Sequence, residues 1–322
     1  MLYLDKMPVI SCIITVFAGH ILSLLFFLGR KLSFRLRTFL FLLTTLAALA
    51  CPLYIPVRFP VARCLSSTTI LIFVFKSWDL YLHPARKRNF TLHQYAVFLM
   101  NHCLFFVNDT DGLLTRDTMS SRLRYFLLET IYFFLSSLGL FVIFRLDWKA
   151  HSFWIEHTVK SVACGIWLVH SWDWYRAIWN LAGFRTFEFA KKPYLAYSPA
   201  EFWRRYHRQI HRWLYADVYI PLKRLMHPVS ALLIVFAISG AAHEYIIDIP
   251  VGHFTGYLLL FFILNGLASV ITWRLKLSGI YKYAGTAFTY VFLAISSVFI
   301  FIPVNEIIHF YANQIPSWIK LW

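Results

Sequence analysis

Charged side chains, and acidic ones above all, are scarce in this sequence. Of 322 residues only 14% are Asp, Glu, Lys or Arg, and 15 acidic residues stand against 31 basic ones. Hydrophobic residues make up 59% of the chain, and a water-soluble domain cannot bury so large an apolar share. The composition therefore excludes an ordinary soluble enzyme and indicates a protein whose main solvent is lipid.

Cysteines and the short signatures of common enzyme classes are equally sparse. The five cysteines occur without a C-x-x-C spacing, which argues against a disulfide framework and against a thiolate metal site. The sequence also lacks a G-x-S-x-G elbow, a Walker loop and a glycine-rich dinucleotide fingerprint. Serine hydrolase, ATPase and dehydrogenase functions therefore have no support.

What the sequence does contain is a series of apolar runs about 20 residues long, each sufficient to cross a bilayer. These runs predict eight spans, at residues 8–29, 38–56, 61–82, 124–145, 159–182, 228–249, 254–273 and 284–303. Two shorter or more charged segments, 92–107 and 200–215, predict interfacial or re-entrant helices. The predicted fold class is an all-α integral membrane protein, with one domain over residues 1–322 and a motif-bearing core at about 184–303.

The formal net charge of +16 is distributed as a membrane topology requires, not as a nucleic-acid surface. Basic residues follow the first, third and seventh predicted spans and crowd the link between the fifth and sixth: Arg30, Lys31, Arg35, Arg37, Arg86, Lys87, Arg88, Arg274, Lys276, Lys282 and nine more from Arg185 to Arg224. The alternate loops hold little besides Arg58, Arg63, Arg145 and Lys149. By the positive-inside rule, both termini are predicted to face away from the cytoplasm. This topology suits the endoplasmic reticulum of a eukaryote and the inner membrane of a bacterium equally.

The most distinctive segment is SPAEFWRRYHRQIHRWLY, at residues 198–215. It begins with a capping box, in which Ser198 is the N-cap, Pro199 the first helical residue and Glu201 the third. The segment therefore predicts one helix from Pro199 to about Tyr215, lying in the headgroup layer. One face of this helix is predicted to carry Trp203, His207, Ile210, His211 and Leu214. Two histidines on that face would point toward the membrane interior.

A second unusual feature is a histidine inside the sixth predicted span, within SGAAHEYI at residues 239–246. An ionisable residue inside a span indicates a functional site by default. The small residues before His243 leave room for another helix or a ligand, and a neutral imidazole in a partly dry cavity suits a general base. A buried histidine that only hydrogen-bonds a neighbouring helix is an equally open alternative.

Metal and haem sites are further alternatives for the histidines. His207 and His211, four residues apart, can ligate a metal with His243 as the third ligand. A haem between spans has the candidate ligands His20, His102 and His170. Because nothing in the sequence pairs these residues, we predict no metal and no cofactor. His243 and Asp248 also form an H-x4-D string, but residues five apart point about 140° apart on a helix, so we interpret this string as chance.

Two charges lie three residues apart in the fifth predicted span. Asp173 and Arg176 can pair on one face of a helix, and such intramembrane pairs are more often structural than functional. The surrounding stretch SWDWYRAIWN, at residues 171–180, is unusually aromatic. Asp173 is therefore also a candidate for lining a substrate tunnel.

Together, the two distinctive segments resemble the membrane-bound O-acyltransferase (MBOAT) family. Its members carry an aromatic, basic F-W-x-R-[WY]-[HN] element, followed further along the chain by an intramembrane histidine. Residues 202–207, FWRRYH, match that element, and residues 239–245, SGAAHEY, resemble the S-x-x-x-H-E-[YL] stretch of sterol, diacylglycerol and wax-ester acyltransferases. Residues 219–222, YIPL, resemble bacterial polysaccharide O-acetylating members. The lead-in at residues 193–201 is most similar to the wax synthase branch.

The resemblance implies a role for each of these residues. His243 would be the general base, and His207 would orient the acceptor or donate to the developing oxyanion. With Asp173 added from the residue analysis, the predicted substrate-binding residues are Trp203, Tyr206, Arg204, Arg205, Arg208, His211, Glu244 and Asp173. The arginines would meet the phosphates of coenzyme A, and the acyl chain would enter an apolar tunnel between spans. The resemblance requires no metal or other cofactor, and acyl-CoA is the implied co-substrate.

We therefore expect an acyltransferase that moves an acyl group from acyl-CoA to a hydroxyl acceptor, with a long-chain fatty alcohol as acceptor in the wax synthase-like interpretation. Histidine in place of the asparagine common at position 207 points to the alternative, O-acetylation of a glycan or small hydrophobic natural product. A non-catalytic lipid-binding or transport protein is the alternative from another class. The expected partners are acyl-CoA, a hydroxylated lipid or other alcohol, and membrane lipids, without nucleic acid.

Overall fold

Helices supply the secondary structure of the protein as far as it is described. A computed structural model describes residues 7–87, 89–104, 113–275 and 277–320. Arg88 and Lys276 of the predicted basic loops, and the end of the predicted segment 92–107, lie outside the described residues. Within the described ranges the only extended pairing is an isolated bridge between Leu114 and Phe184, which confirms the predicted all-α class there.

Thirteen α-helices occupy the described part of the chain. They are α1 (Met7–Leu28), α2 (Phe34–Ala50), α3 (Pro60–Leu82), α4 (Leu92–Met100), α5 (Met119–Arg145), α6 (Phe153–Leu181), α7 (Pro199–Arg205), α8 (Arg208–Trp213), α9 (Ile220–Leu222), α10 (Pro228–Val251), α11 (Tyr257–Thr272), α12 (Tyr281–Ser296) and α13 (Val298–Ile308). A π-helical segment, Leu214–Tyr219, lies between α8 and α9. α4 falls in the first of the two segments predicted as interfacial helices.

Several of these helices are long and apolar enough to cross a bilayer. Among the described residues, five meet both criteria: α1, α2, α3, α5 and α10. α12 and α13 qualify together as a sixth span that is bent by 40°. α11 has only 16 residues, and α6, with 29, carries charged side chains along its length. The helices thus support an integral membrane protein, and the total of eight spans stays a prediction.

The chain forms two compact units. The N-terminal unit comprises Met1–Leu113 and Ala242–Thr255, and the C-terminal unit comprises Leu114–Ala241 and Gly256–Trp322. α10 contributes to both, because the chain passes from one unit to the other after Ala241. The single domain expected over the whole chain stays a prediction.

In the N-terminal unit, α1 and α3 pack side by side in parallel. The Thr15 and Ser66 hydroxyls lie 2.8 Å apart, and one turn further on Gly19 faces Ile70. A Cβ at Gly19 would lie 2.9 Å from the Ile70 side chain, so glycine is what permits this close approach. The contact fixes the register of the two helices relative to each other.

Buried lysines attach α4 to α3 in the same unit. Lys76 is fully buried, and its ammonium donates to the carbonyls of Leu99, at 3.1 Å, and Asn101, at 2.8 Å, as well as to that of Phe98. These carbonyls lie at the C-terminal end of α4, where helix geometry leaves them unpaired and where a cation is favoured. Lys87 forms a buried ion pair with Asp79 on the next turn of α3. Both ammonium groups are therefore compensated by the fold.

In the C-terminal unit, the segment after α13 is held against the start of α6. The buried Glu156 carboxylate accepts backbone N–H bonds from Ala312, at 2.6 Å, and Asn313, at 3.0 Å. It also pairs with Lys160, whose ammonium donates to the Phe310 carbonyl at 2.7 Å. These charges are fully satisfied by neighbouring donors and acceptors, so we interpret them as structural anchors.

The structure corrects the single helix predicted from Pro199 to Tyr215. α7 ends at Arg205, His207 adopts a left-handed backbone conformation with φ of 42°, and α8 begins at Arg208. Two backbone hydrogen bonds to the loop upstream of α7 accompany the break. Lys191 N–H donates to the Arg205 carbonyl at 2.9 Å, and Arg208 N–H donates to the Phe189 carbonyl at 2.8 Å. The helix is thus interrupted at Tyr206 and His207. The residues from Trp203 to Leu214 therefore do not lie on one continuous helix, and the predicted shared face is wrong.

Candidate active site

The break between α7 and α8 determines the position of the His207 side chain. Its half-buried ring lies 4.5 Å from the Phe189 ring and 5.6 Å from the Trp172 ring, measured between centroids. Tyr206 also packs edge-on against Phe189, at 5.1 Å, and stacks on Phe202. Burial raises the pKa of Tyr206 to about 12, so its hydroxyl stays protonated at neutral pH. An aromatic wall therefore encloses the imidazole of the sequence-predicted His207.

The predicted N-cap of α7 is confirmed, and Glu201, the acidic residue of the predicted capping box, also binds an arginine side chain. Ser198 Oγ accepts the Glu201 N–H at 3.2 Å, while Glu201 reaches back to the N–H of Tyr197 at 3.0 Å. The same carboxylate accepts from Arg205 at 2.6 Å and 3.0 Å and lies 3.5 Å from Arg204. Burial alone would raise the pKa of Glu201, but these hydrogen bonds and charges outweigh burial and lower it.

Glu201→Gln is expected to destabilise the protein at neutral pH by about 1.5–3 kcal/mol, because the buried carboxylate makes charged hydrogen bonds. The folded-state pKa is depressed, so the carboxylate stabilises fully above its unfolded value, near 4.3. That contribution is lost as the pH falls through the lower folded value. Thermal unfolding of wild type and variant in detergent should therefore differ at pH 7 and converge in acid.

Glu188→Gln is the matched control for this prediction. Glu188 also pairs with an arginine, Arg208, at 2.7 Å, but its side chain is 53% exposed. An exposed ion pair contributes about 0–1 kcal/mol, so this variant should unfold close to wild type. Equal unfolding temperatures for both variants at pH 7 would contradict the structural importance of Glu201.

Trp203 is anchored to α11 by a partner that the sequence did not reveal. Its indole N–H donates to Asn265 Oδ1 at 3.0 Å, and Asn265 is fully buried. The indole ring packs among Phe236, Phe261 and Phe262. Trp203 therefore ties the aromatic segment to the core of the C-terminal unit, and its predicted contact with substrate stays a prediction.

The basic side chains of this segment differ in how far they are committed to the fold. Arg205 and Arg208 are paired with carboxylates, whereas Arg204, at 66% exposure, makes only a long contact with Glu201. Arg212 on α8 is exposed as well. Burial, reinforced by the Arg204 charge, lowers the pKa of His211, which favours its neutral form. Arg204 and Arg212 are thus the most accessible of these cations.

Asp173 belongs to a polar cluster between α5 and α6. The predicted pairing with Arg176 is confirmed at 3.5 Å, and Arg176 Nε also donates to the Tyr125 hydroxyl at 2.8 Å. Further along the same interface, His170 Nδ1 lies 3.9 Å from Glu129. Sequence analysis missed Tyr125 and Glu129, because only the tertiary packing of α5 on α6 brings them to Asp173. The signal available was an ionisable residue, Glu129, inside a predicted span.

His243 lies on the part of α10 that belongs to the N-terminal unit. Its side chain is half-buried, and the residues beside it fix the helix. The Tyr245 hydroxyl donates to the Leu49 carbonyl at 2.8 Å, and the Thr255 hydroxyl donates to the buried Glu244 carboxylate at 2.8 Å. These bonds, on different sides of α10, hold the rotation of the helix and thereby the direction of His243. The predicted substrate contact of Glu244 stays a prediction.

Asp248, the last member of the H-x4-D string, has a local structural partner. Its Oδ1 accepts the N–H of Thr255 at 3.0 Å and so closes the turn that follows α10. The interpretation of the string as chance stays a prediction.

Gly240, one of the small residues before His243, serves helix packing. A Cβ at Gly240 would lie 3.0 Å from the Cα of Leu259, so α10 and α11 approach closely at this point in the C-terminal unit. Gly266 of α11 meets Phe236 of α10 in the same way, at 3.0 Å. At Gly240 the space that the sequence predicted for another helix or a ligand is thus occupied by α11.

Within the described residues, neither a metal-binding cluster nor the apolar groove on α11 and α12 adds to the site. No group of three or more His, Cys, Asp or Glu side chains in the described ranges is arranged to hold a metal ion. A groove of about 250 Å³ between α11 and α12 is lined by apolar side chains such as Leu264, Ile271, Phe288 and Phe292. None of the predicted site residues lines it.

Residues 73–302 match the MBOAT, membrane-bound O-acyltransferase family. The chain belongs to this family. The matched range contains both His207 and His243, and the resemblance predicted from the two motifs is thereby confirmed at the level of the family. The two histidines lie in different units, His207 in the C-terminal and His243 in the N-terminal unit. Their roles, like those of the predicted substrate-binding residues, stay predictions.

This MBOAT protein is similar to plant diacylglycerol acyltransferases over a short range. The similarity is 32% identity over 78 residues to diacylglycerol O-acyltransferase 1C of Glycine max, and 31% over 78 residues to diacylglycerol O-acyltransferase 1 of Arabidopsis thaliana. Each match covers 24% of this chain and 15% of the relative's length. The wax synthase-like branch stays a prediction.

Proposed function

We propose that this protein is an acyl-CoA-dependent O-acyltransferase that esterifies a hydroxylated lipid within the membrane. The observation that carries the proposal is membership of the MBOAT family over a range that contains both distinctive histidines. The several membrane-crossing helices give a lipid alcohol access to the protein from the bilayer. The exposed arginines of the basic segment suit a thioester that arrives from the cytoplasm with its phosphates.

In the proposed reaction, His243 takes the proton of the acceptor hydroxyl as its oxygen attacks the thioester carbonyl. The resulting tetrahedral intermediate carries a negative oxygen, to which His207 donates a hydrogen bond. The C–S bond then breaks, and the proton held by His243 passes to the coenzyme A thiolate. The products are one ester and one free thiol for each thioester consumed.

The proposed roles of the remaining residues follow from their chemistry. Arg204 and Arg212 bind coenzyme A phosphates, because they are the most accessible cations of the segment. Arg205 and Arg208 are engaged with Glu201 and Glu188, so they shape the segment and add positive potential. Tyr206 walls the space next to His207, and Asp173 contributes through its polar cluster with Arg176 and Tyr125.

The acceptor that we propose is a long-chain fatty alcohol, on the similarity of residues 193–201 to wax synthases. The match to two diacylglycerol acyltransferases favours diacylglycerol as a second candidate. Both acceptors are membrane lipids with a free hydroxyl, so the same general-base chemistry serves either one. O-acetylation of a glycan or small natural product remains the alternative indicated by histidine at position 207.

The first test of this proposal is ester formation by membranes that contain the protein. Radiolabelled palmitoyl-CoA is supplied with hexadecanol or with dioleoylglycerol, and acetyl-CoA with a panel of alcohols, and products are resolved by thin-layer chromatography. We expect a wax ester and an equal amount of free coenzyme A thiol. Triacylglycerol alone would move the acceptor to the second candidate. Lipid transfer without any loss of thioester would contradict the catalytic proposal.

A further inference from the structure

Arg63 is a buried cation near the start of α3 in the N-terminal unit. Its side chain is only 5% exposed, and it lies one turn before Ser67 on the same face of the helix. Ser66 and Ser67 on that turn are fully buried against the rest of the unit. Arg63 therefore begins the buried stripe of α3 and does not extend into solvent as a loop arginine does.

The guanidinium of Arg63 lacks the compensation that the other buried cations of this unit have. Its Nε and Nη1 atoms are buried and have no hydrogen-bond acceptor among the described residues, whereas Nη2 is not among the buried atoms and is the nitrogen that a ligand can reach first. Lys76, by contrast, donates to three carbonyls, and Lys87 pairs with Asp79. Within the described ranges, no carboxylate lies within ion-pair distance of Arg63.

Arginine cannot relieve the cost of burial by losing its charge. The guanidinium cannot be deprotonated in a protein, so it stays charged where a buried lysine or histidine would release its proton. A buried charge is tolerated when a counter-ion and hydrogen-bond acceptors accompany it. An anion with several acceptor oxygens would supply both the counter-charge and the acceptors that Arg63 lacks.

The place of Arg63 in the membrane indicates where that anion comes from. Arg63 lies in the first turn of a helix that is long and apolar enough to span the bilayer, which predicts the depth of the lipid headgroups for it. The positive end of the α3 dipole lies at the same level and favours a negative group. Arginine also matches phosphate geometry better than lysine does.

We propose that Arg63 binds the phosphate of an anionic membrane phospholipid at the end of the N-terminal unit where α3 begins. By the predicted topology, this lipid belongs to the non-cytoplasmic leaflet. The site is independent of the proposed acyl transfer, and its test does not use the enzyme reaction.

The test compares purified full-length protein in an uncharged detergent with and without added lipid. Thermal unfolding and native mass spectrometry are recorded with phosphatidylglycerol, phosphatidylcholine and inorganic phosphate. We expect phosphatidylglycerol to raise the unfolding temperature of the wild type more than phosphatidylcholine does. Arg63→Gln should weaken phosphatidylglycerol binding by about tenfold or more, because a charge-assisted contact is lost.

Arg58→Gln is the matched control, since Arg58 lies just before α3, is exposed and rests on the Phe59 ring. It should bind phosphatidylglycerol as the wild type does. In lipid-free detergent, Arg63→Gln should be at least as stable as the wild type, because an uncompensated buried charge is removed. A purely structural arginine would instead leave the variant less stable under every condition.

Several outcomes would overturn the proposal. One is equal stabilisation of the wild type by phosphatidylglycerol and phosphatidylcholine, a comparison that needs no variant. Another is an equal effect of inorganic phosphate, which would make the ligand a free oxyanion and not a lipid. Asp5, outside the described residues, is an acid that the chain itself supplies. If the wild type showed no response to phosphatidylglycerol and Asp5→Asn acquired one, Asp5 would be the counter-ion of Arg63 and the assignment to a lipid would be wrong.

Discussion

Membranes containing His243→Ala are expected to form no detectable ester, while the variant accumulates and stays folded. A positioned general base contributes about 10²–10⁴-fold to the rate, and alanine has no group to take the hydroxyl proton. The contacts that fix α10 next to His243 are made by Tyr245 and by Glu244 with Thr255, and the substitution leaves them in place. The measurement is initial rate of ester formation at matched expression, with thermal unfolding of the purified variant alongside.

Two control variants separate this role from the alternatives. His253→Ala removes an exposed histidine from the same unit and should keep full activity. Asp248→Asn removes the acid of the H-x4-D string but keeps an oxygen to accept the Thr255 N–H. Activity in this variant is expected to stay within a few-fold of wild type. Loss of activity in Asp248→Asn equal to that in His243→Ala would indicate a charge relay and contradict a lone base.

A structural histidine would give a different pattern. His243→Ala would then lower the yield or the unfolding temperature, and the rate per folded molecule would stay close to wild type. If folded His243→Ala formed ester at the wild-type rate, the assignment of His243 as the base would be wrong, while the family membership would still hold.

Hydropathy predicted the position of each long helix because lipid as a solvent requires apolar side chains along any segment that it surrounds. A chain segment inside lipid must satisfy its own backbone, so apolar runs of sufficient length become helices regardless of their partners. α3 and α10 accordingly begin and end within two residues of the predicted spans. Ser198 predicted the start of α7 for a related reason, since capping uses only residues adjacent in sequence.

The end of α7 could not be predicted in this way. No proline or glycine lies between Arg205 and Arg208, and the local sequence favours a continuous helix. The break arises because Phe189 and Lys191 compete for the backbone groups of Arg205 and Arg208. That competition depends on a tertiary contact across a loop, which local propensity does not contain.

Polar contacts between helices likewise could not be predicted from the local sequence. The pairing of Asp173 with Arg176 is set by helical spacing and was predictable, whereas Tyr125 reaches Arg176 only through the packing of α5 on α6. Asn265 under Trp203 is a similar case. The sequence shows which residues can form hydrogen bonds or ion pairs, but the tertiary packing determines which of them are in contact.

His207→Gly is expected to fold as the wild type does and to lose about 10²–10³-fold in kcat, the range for removal of one oxyanion donor. Glycine adopts the left-handed conformation at φ of 42° without steric cost, so the bend between α7 and α8 survives while the imidazole is removed. His207→Asn should keep most of the activity. Asparagine tolerates this backbone conformation and offers an amide N–H in place of the ring.

His309→Gly provides the backbone control for these variants. His309 has a φ of 49° at the end of α13 and is exposed, so glycine there changes the unfolded chain in the same way as at position 207. Each substitution should alter the free energy of unfolding by no more than about 1 kcal/mol. Full activity in His207→Gly would reduce His207 to a bend-forming residue. A much larger loss of stability than in His309→Gly would assign it to the aromatic core with Phe189 and Trp172. Loss of kcat with neither of these effects, and recovery in His207→Asn, is the pattern that a hydrogen-bond donor to the transition state produces.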